Sequence, residues 1–78
     1  MRIVLIGYGK MGKEIDRIAR DRGHQIVLKI DIENPNDLFA LTNKEVDVAI
    51  EFSNPISAFS NIMQCIEKQI PIVCGTTG

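Results

Sequence analysis

Histidine and cysteine are scarce in these 78 residues, and neither sign of charge is in surplus; each shortage closes off a class of chemistry. The sequence has two cysteines and one histidine. Cys65 and Cys74 fall on a predicted helix and a predicted strand, without the paired spacing or neighbouring histidine that a zinc site requires. Both read as buried apolar filler, and no metal site is expected. The single histidine, His24, opens the second predicted strand, at the edge away from the unusual loops, and reads as structural rather than as an acid or base. Nine basic and ten acidic residues leave a net charge of -1. With no basic stripe to follow a phosphate polymer, nucleic acid is not an expected partner. No apolar run approaches the roughly 18 residues that cross a bilayer, so no membrane partner is expected either. The N-terminus leads straight into a strand pattern and not a signal peptide, which predicts a cytoplasmic protein.

At 45% hydrophobic residues, the chain supports one small layered core that buries about 60% of its unfolded surface. Arg2 to Ile6 reads as a first strand. Met11, Ile15, Ile18 and Ala19 recur at the period of one helical face turned to a core, and Gly23 stops that helix. Gln25 to Ile30 is the second strand. Asn34-Pro35-Asn36-Asp37 marks a turn, and Leu38 to Leu41 suffices for a helical turn or two. Val46 to Phe52 is the third strand, where Val46, Val48 and Ile50 alternate with Asp47, Ala49 and Glu51, so one face is expected to be less buried than in the first strand. Ser53-Asn54-Pro55 opens a helix with a capping side chain and a proline at its first position. Ile56, Phe59, Ile62, Met63 and Ile66 then mark one face of that helix. Ile72 to Cys74 is a fourth strand.

Strands alternating with helices predict an α/β fold, a parallel sheet of Rossmann type with helices on both faces. Only 15 residues separate Ile30 from Val46, too few for a further helix and strand. The third strand must therefore cross to the far side of the first, giving the order 2-1-3-4 and a switch point beside Gly7 to Gly12. Ligands of such sheets bind beyond the carboxyl ends of the strands, and four unusual loops, beginning at Gly7, Asp31, Phe52 and Gly75, all follow strand ends.

Gly7-Tyr8-Gly9-Lys10-Met11-Gly12 joins an apolar strand to a helix whose first N–H groups have no partner within the helix, which a pyrophosphate can supply. Gly7 allows the tight turn, Gly9 lets backbone approach the diphosphate, and Gly12 lets the helix pack close to the strand. Lys10 is a phosphate-side contact or a solvated lysine. Asp31, 19 residues past Gly12, can accept hydrogen bonds from the adenosine ribose and would repel a 2′-phosphate, which predicts NADH preferred, with NADPH possible. Phe52 and Ser53 are expected to line the pocket while serving as core residue and helix cap. Thr76 and Thr77 offer groups to orient a carboxamide.

Assembled, these loops resemble the N-terminal domain of the dihydrodipicolinate reductases, also called 4-hydroxy-tetrahydrodipicolinate reductases. The resemblance covers all 78 residues and rests on Ile6-Gly7-Tyr8-Gly9-Lys10-Met11-Gly12, on Val46 through Pro55, and on Pro71-Ile72-Val73-Cys74-Gly75-Thr76-Thr77-Gly78. It implies NAD(P)H-dependent reduction of a cyclic dipicolinate precursor on the diaminopimelate and lysine route. It also assigns Gly7 to Gly12 to the pyrophosphate, Asp31 to the ribose, and Gly75, Thr76 and Thr77 to the nicotinamide side. Many members carry an extra residue in the first glycine loop, so the role of Tyr8 is not carried over.

The family's proton donors and its substrate-binding, oligomerising domain have no counterpart here. No catalytic residue is therefore assigned, and residues 1–78 are expected to be the dinucleotide-binding domain of a longer protein that forms a homo-oligomer. The absence of a helix after the fourth strand points the same way. Two alternatives stay open: another NAD(P)-dependent dehydrogenase of amino-acid or sugar metabolism, and a non-catalytic dinucleotide sensor.

Overall fold

Ile3 to Ile6 is an unbroken apolar run, and such a run is stable as a strand only where both faces of a sheet are covered. The computed structural model, which describes residues 1–31, 34 and 36–75, places it accordingly. Strand β1 (Arg2–Ile6) lies between β2 (Gln25–Ile30) and β3 (Val48–Glu51), with β4 (Ile72–Cys74) beyond β3. All pairings are parallel, in the order β2-β1-β3-β4 that the short second connection predicts. Ile6 stands opposite both Ile30 and Glu51, and Glu51 opposite Cys74, so the carboxyl ends of the four strands are level.

Successive β1 side chains enter two cores, as the period of a strand requires. Val4 and Ile6 join Ile30, Leu38, Leu41, Val46, Ala49, Cys65 and Ile70 on the face covered by α2 (Asp37–Ala40) and α3 (Pro55–Glu67). Ile3 and Leu5 join Ala19 on the other face, beneath α1 (Lys10–Asp21). With two helices on one side and one on the other, the β3 faces are unequal, and the more buried one is the face that carries Glu51. Ala49 and Glu51 are fully buried, whereas Val48 and Ile50 are only half-buried.

Strand β3 is shorter than the expected Val46 to Phe52, but both flanks keep backbone bonds to β1. Asp47 N–H donates to the Arg2 carbonyl at 2.8 Å and Phe52 N–H to the Ile6 carbonyl at 2.7 Å. The Arg2 guanidinium closes the first flank, 3.2 Å from the Asp47 carboxylate and 2.6 Å from the Lys44 carbonyl. The arginine and the backbone N–H of residue 2 together hold the Asp47 carboxyl below its usual range.

The helices form where expected but turn differently. In α1 the buried positions are Gly12, Asp16 and Ala19; Ile15 packs on the core, while Met11 and Ile18 are exposed. In α3 the expected apolar face is largely in solvent, with Ile56 91% and Phe59 73% exposed, and Ala58 and Cys65 face the sheet instead. Small residues let this helix sit close to β3 and β4; large ones at those positions would hold it away. Asn54, not Ser53, caps α3, its Oδ1 accepting from Ser57 N–H at 2.9 Å, with Pro55 in the first turn. The Lys68 ammonium ties α3 to the end of α2, donating to the carbonyls of Phe39 (2.7 Å) and Leu41 (2.8 Å).

Burial pushes the Cys65 thiol pKa up, whereas Cys74 is exposed at the outer end of the edge strand and is not the filler expected of it. His24 Nδ1 lies 2.9 Å from the N-terminal amine, at the amino end of the sheet. Asn34 pins the turn after β2, its side chain bonding Asp31 N–H, the Lys29 carbonyl and the Asp37 carboxylate; Pro35 of that expected turn lies outside the described residues. No described helix is long and apolar enough to cross a membrane.

Because Leu5 is fully buried at the centre of the α1 face, Leu5→Ala should cost about 2–5 kcal/mol of stability. Urea denaturation of the two proteins measures the difference.

Candidate functional site

The level strand ends support a cleft of about 830 Å³, within the roughly 300–1,000 Å³ typical of cofactor sites. Its floor is the end of β1 and the glycine turn. One wall carries Ile30, Asp31, Asn36 and Phe39, and the opposite wall runs from Phe52 along α3. Backbone bonds fasten three loops to the sheet: Gly7 N–H to the Ile30 carbonyl (2.7 Å), Phe52 N–H to that of Ile6 (2.7 Å) and Gly75 N–H to that of Glu51 (2.8 Å).

The glycine turn is shaped by what a side chain would strike. Gly7 has φ +94°, and a Cβ there would meet the Phe52 carbonyl carbon and Ser53 nitrogen at 2.8 Å. A Cβ at Gly12 would lie 2.6 Å from the Gly7 carbonyl oxygen, so the first turn of α1 rests directly on the loop. Gly9 has no such neighbour among the described residues and is the N-cap of α1, with no side-chain hydrogen bond to the helix end. The first internal bond runs from Lys13 N–H to the Gly9 carbonyl, and no acid stands in the first turn. The N–H groups before Lys13 therefore present the positive end of a helix to an anion.

Of the residues singled out from the sequence, Gly7, Tyr8, Gly9, Asp31, Phe52 and Ser53 line this one cleft. Lys10, Met11 and Gly12 form the first turn of α1 beneath the loop and do not line it. Gly75 also stands outside it, but a Cβ there would collide with the Phe52 ring at 2.2 Å, so its backbone backs the aromatic wall. Phe52 is half-buried wall and not core. Thr76 and Thr77 lie outside the described residues.

Two buried acids, neither singled out from the sequence, hold the loops from below. Glu51, with no exposed surface, accepts from Ser53 N–H and Ser53 Oγ and, at 3.0 Å, from Asn61 Nδ2. It thus fixes two polar groups of the cleft wall. Asp16, 6% exposed, accepts from the Tyr8 hydroxyl at 2.6 Å and from Arg20 Nε, and lies 3.2 Å from the Lys29 ammonium. The Tyr8 hydroxyl, followed by Arg20, pulls the Asp16 pKa down to about 2 against the opposing effect of burial. Lys29 also lies over the Tyr8 ring, 4.8 Å from its centre. The one available signal was position: Asp16 lies between Gly12 and Ala19 on the inner face of α1, where an acid requires partners.

The site fits a dinucleotide on two observations. At Gly9, on the cleft lining and at the start of α1, a Cβ would stand in open space that the glycine leaves free. In addition, the Gln64 Oε1 on the α3 wall is buried without a hydrogen-bond partner among the described residues, an acceptor suited to an N–H or O–H donor of a ligand. No metal-binding cluster of acids, histidines and cysteines occurs among the described residues.

A family model described as dihydrodipicolinate reductase, N-terminus, matches residues 1–78. The 4-hydroxy-tetrahydrodipicolinate reductase of Christiangramia forsetii is 50% identical over 80 residues, which cover 100% of this chain and 32% of that protein. Those of Staphylococcus haemolyticus and Staphylococcus epidermidis are 38% and 40% identical, again over the whole chain and 34% of their own lengths. The chain spans about a third of these curated relatives.

A carboxyl with a lowered pKa stabilises the fold fully above its unfolded value, and that stability is lost as pH falls through the folded one. Asp16 should therefore withdraw stability between about pH 4 and about pH 2. Denaturation midpoints across that range should fall less steeply for Asp16→Asn than for the unaltered protein.

Proposed function

The chain belongs to the dihydrodipicolinate reductase family as its N-terminal domain, and from that premise we propose that it is the cofactor-holding part of an NAD(P)H-dependent reductase in lysine and diaminopimelate biosynthesis. The observation that carries the reading is the uncapped start of α1, whose N-cap Gly9 lines the same cleft as Gly7 and Asp31. The pyrophosphate lies against the α1 N–H groups and the Gly7 to Gly12 turn, where Lys10 adds positive charge. Adenosine lies toward Asp31, whose carboxylate accepts from the ribose hydroxyls and disfavours a 2′-phosphate. NADH is therefore preferred and NADPH accepted. Phe52 and Ser53 bound the opposite wall, and Gly75, Thr76 and Thr77 serve the nicotinamide side.

When bound, the nicotinamide supplies a hydride to an electron-poor C=C or C=N unit. This chain orients the cofactor and walls its binding cleft. The proton donor and the substrate contacts belong to a further domain of a longer, cytoplasmic, homo-oligomeric protein, so residues 1–78 bind cofactor without turning it over.

Calorimetric titration with NADH and NADPH tests the assignment. NADH should bind more tightly. Asp31→Ala should weaken NADH about tenfold, the loss of hydrogen bonds to a charged acceptor, and narrow the gap to NADPH. An unchanged NADH affinity would remove Asp31 from the ribose site, and substrate-dependent oxidation of NADH by residues 1–78 alone would refute the division of labour.

A further inference from the structure

Tyr8 supplies the one side chain between the two glycines that open the α1 loop, and that side chain is tied down. It packs against the cluster of Ile3, Leu5 and Ala19, its ring face carries the Lys29 ammonium, and its hydroxyl donates to Asp16 at 2.6 Å. Asp16 lies one helical turn beyond Gly12 on the same face of α1, and Gly12 in turn presses on the Gly7 carbonyl. The turn is thus gripped from both sides: by the Gly12 backbone under Gly7 and by the Asp16 carboxylate through Tyr8. Gly7 and Gly9 on their own leave the backbone wide conformational freedom, and every state that must be given up on ligation weakens binding.

We propose that Asp16 is a positioning residue for the dinucleotide: by holding the Tyr8 hydroxyl, it keeps the Gly7 to Gly9 turn in the shape that receives the pyrophosphate. This rests on the cofactor reading above and assigns an acid on the sheet side of α1 to a binding role, although it does not line the cleft. A simpler arrangement would suffice for stability, because an apolar residue at position 16 would bury in the α1 core without needing three donors. The acid is suited to reaching a hydroxyl on the loop. Its remaining partners, Arg20 and Lys29, keep the carboxylate satisfied when Tyr8 loses its hydroxyl, so the contact can be removed without unfolding the core.

The test compares the unaltered chain with Tyr8→Phe, Asp16→Asn and the double variant, measuring NADH and ADP-ribose affinity by calorimetry and the urea midpoint in parallel. Tyr8→Phe keeps the ring packing and the Lys29 contact. It should weaken both ligands about tenfold, a loss the size of one charge-assisted hydrogen bond, and lower the urea midpoint as well, while the chain stays folded because Arg20 and Lys29 still pair the Asp16 carboxylate. The double variant should bind no more weakly than the weaker single variant, since both substitutions act on the same contact, Asp16→Asn by removing the acceptor's charge and Tyr8→Phe by removing the donor. Tyr8 is the only tyrosine and there is no tryptophan, so emission excited at the tyrosine band reports on this hydroxyl alone, and Asp16→Asn should raise it by removing a carboxylate quencher. Unchanged affinity in Tyr8→Phe, or losses that add in the double variant, would overturn the proposal while leaving the cofactor reading intact. Failure of the unaltered chain to bind either ligand would instead overturn the cofactor reading itself.

Discussion

Parallel pairing around β1 is the constraint on which the molecule depends. Parallel strands end on the same side, so the glycine turn, the Asp31 turn and the Phe52 loop emerge at one edge without any contact having to draw them together. Ile6 is opposite both Ile30 and Glu51, and the next N–H groups, at Gly7 and Phe52, continue the ladders into the loops. The cleft is the space beyond those strand ends, between the turn after β2 with α2 on one side and the Phe52 loop with α3 on the other.

Each face of the sheet then uses one buried acid for the same purpose. On the α1 face Asp16 reaches the glycine loop through Tyr8; on the α3 face Glu51 holds Ser53 and Asn61. An ionised group taken out of water is costly unless every acceptor position is occupied. Donors drawn from separate elements can meet that requirement only when those elements are correctly placed. Asp16 gathers the first loop, α1 and β2; Glu51 gathers the β3 end and α3. These acids make the geometry of the loops conditional on the fold, and Asp16 ties the fold's acid sensitivity to the first loop.

Much of this was legible from residues 1–78 because the strongest signals are local. The apolar run of β1, the glycine spacing and the Asn54-Pro55 helix start depend on neighbours in sequence, and the 15-residue connection left one strand order open. Side-chain direction was harder to read. In α3 both the large residues at Ile56, Phe59 and Met63 and the small ones at Ala58 and Cys65 follow a helical period, and the choice between them depends on how closely the helix must approach β3. The same dependence on the third dimension hid Asp16 and Glu51, whose partners come from other elements, and the burial of Ala49 and Glu51, which follows from two helices covering that face. Ser53 resembles a cap in sequence, but its hydroxyl is engaged by Glu51 and the task falls to Asn54.

The two cysteines end in opposite circumstances. Cys65 is sealed under α3, and Cys74 stands in solvent one residue before the glycine that backs Phe52. A bulky alkylating label added to the native protein therefore has a single address, just behind the aromatic wall, while the second sulfur becomes reachable only when α3 lifts from the sheet. Counting labels per molecule over time converts that difference into a clock for opening of the α3 layer, with the first equivalent serving as its internal standard.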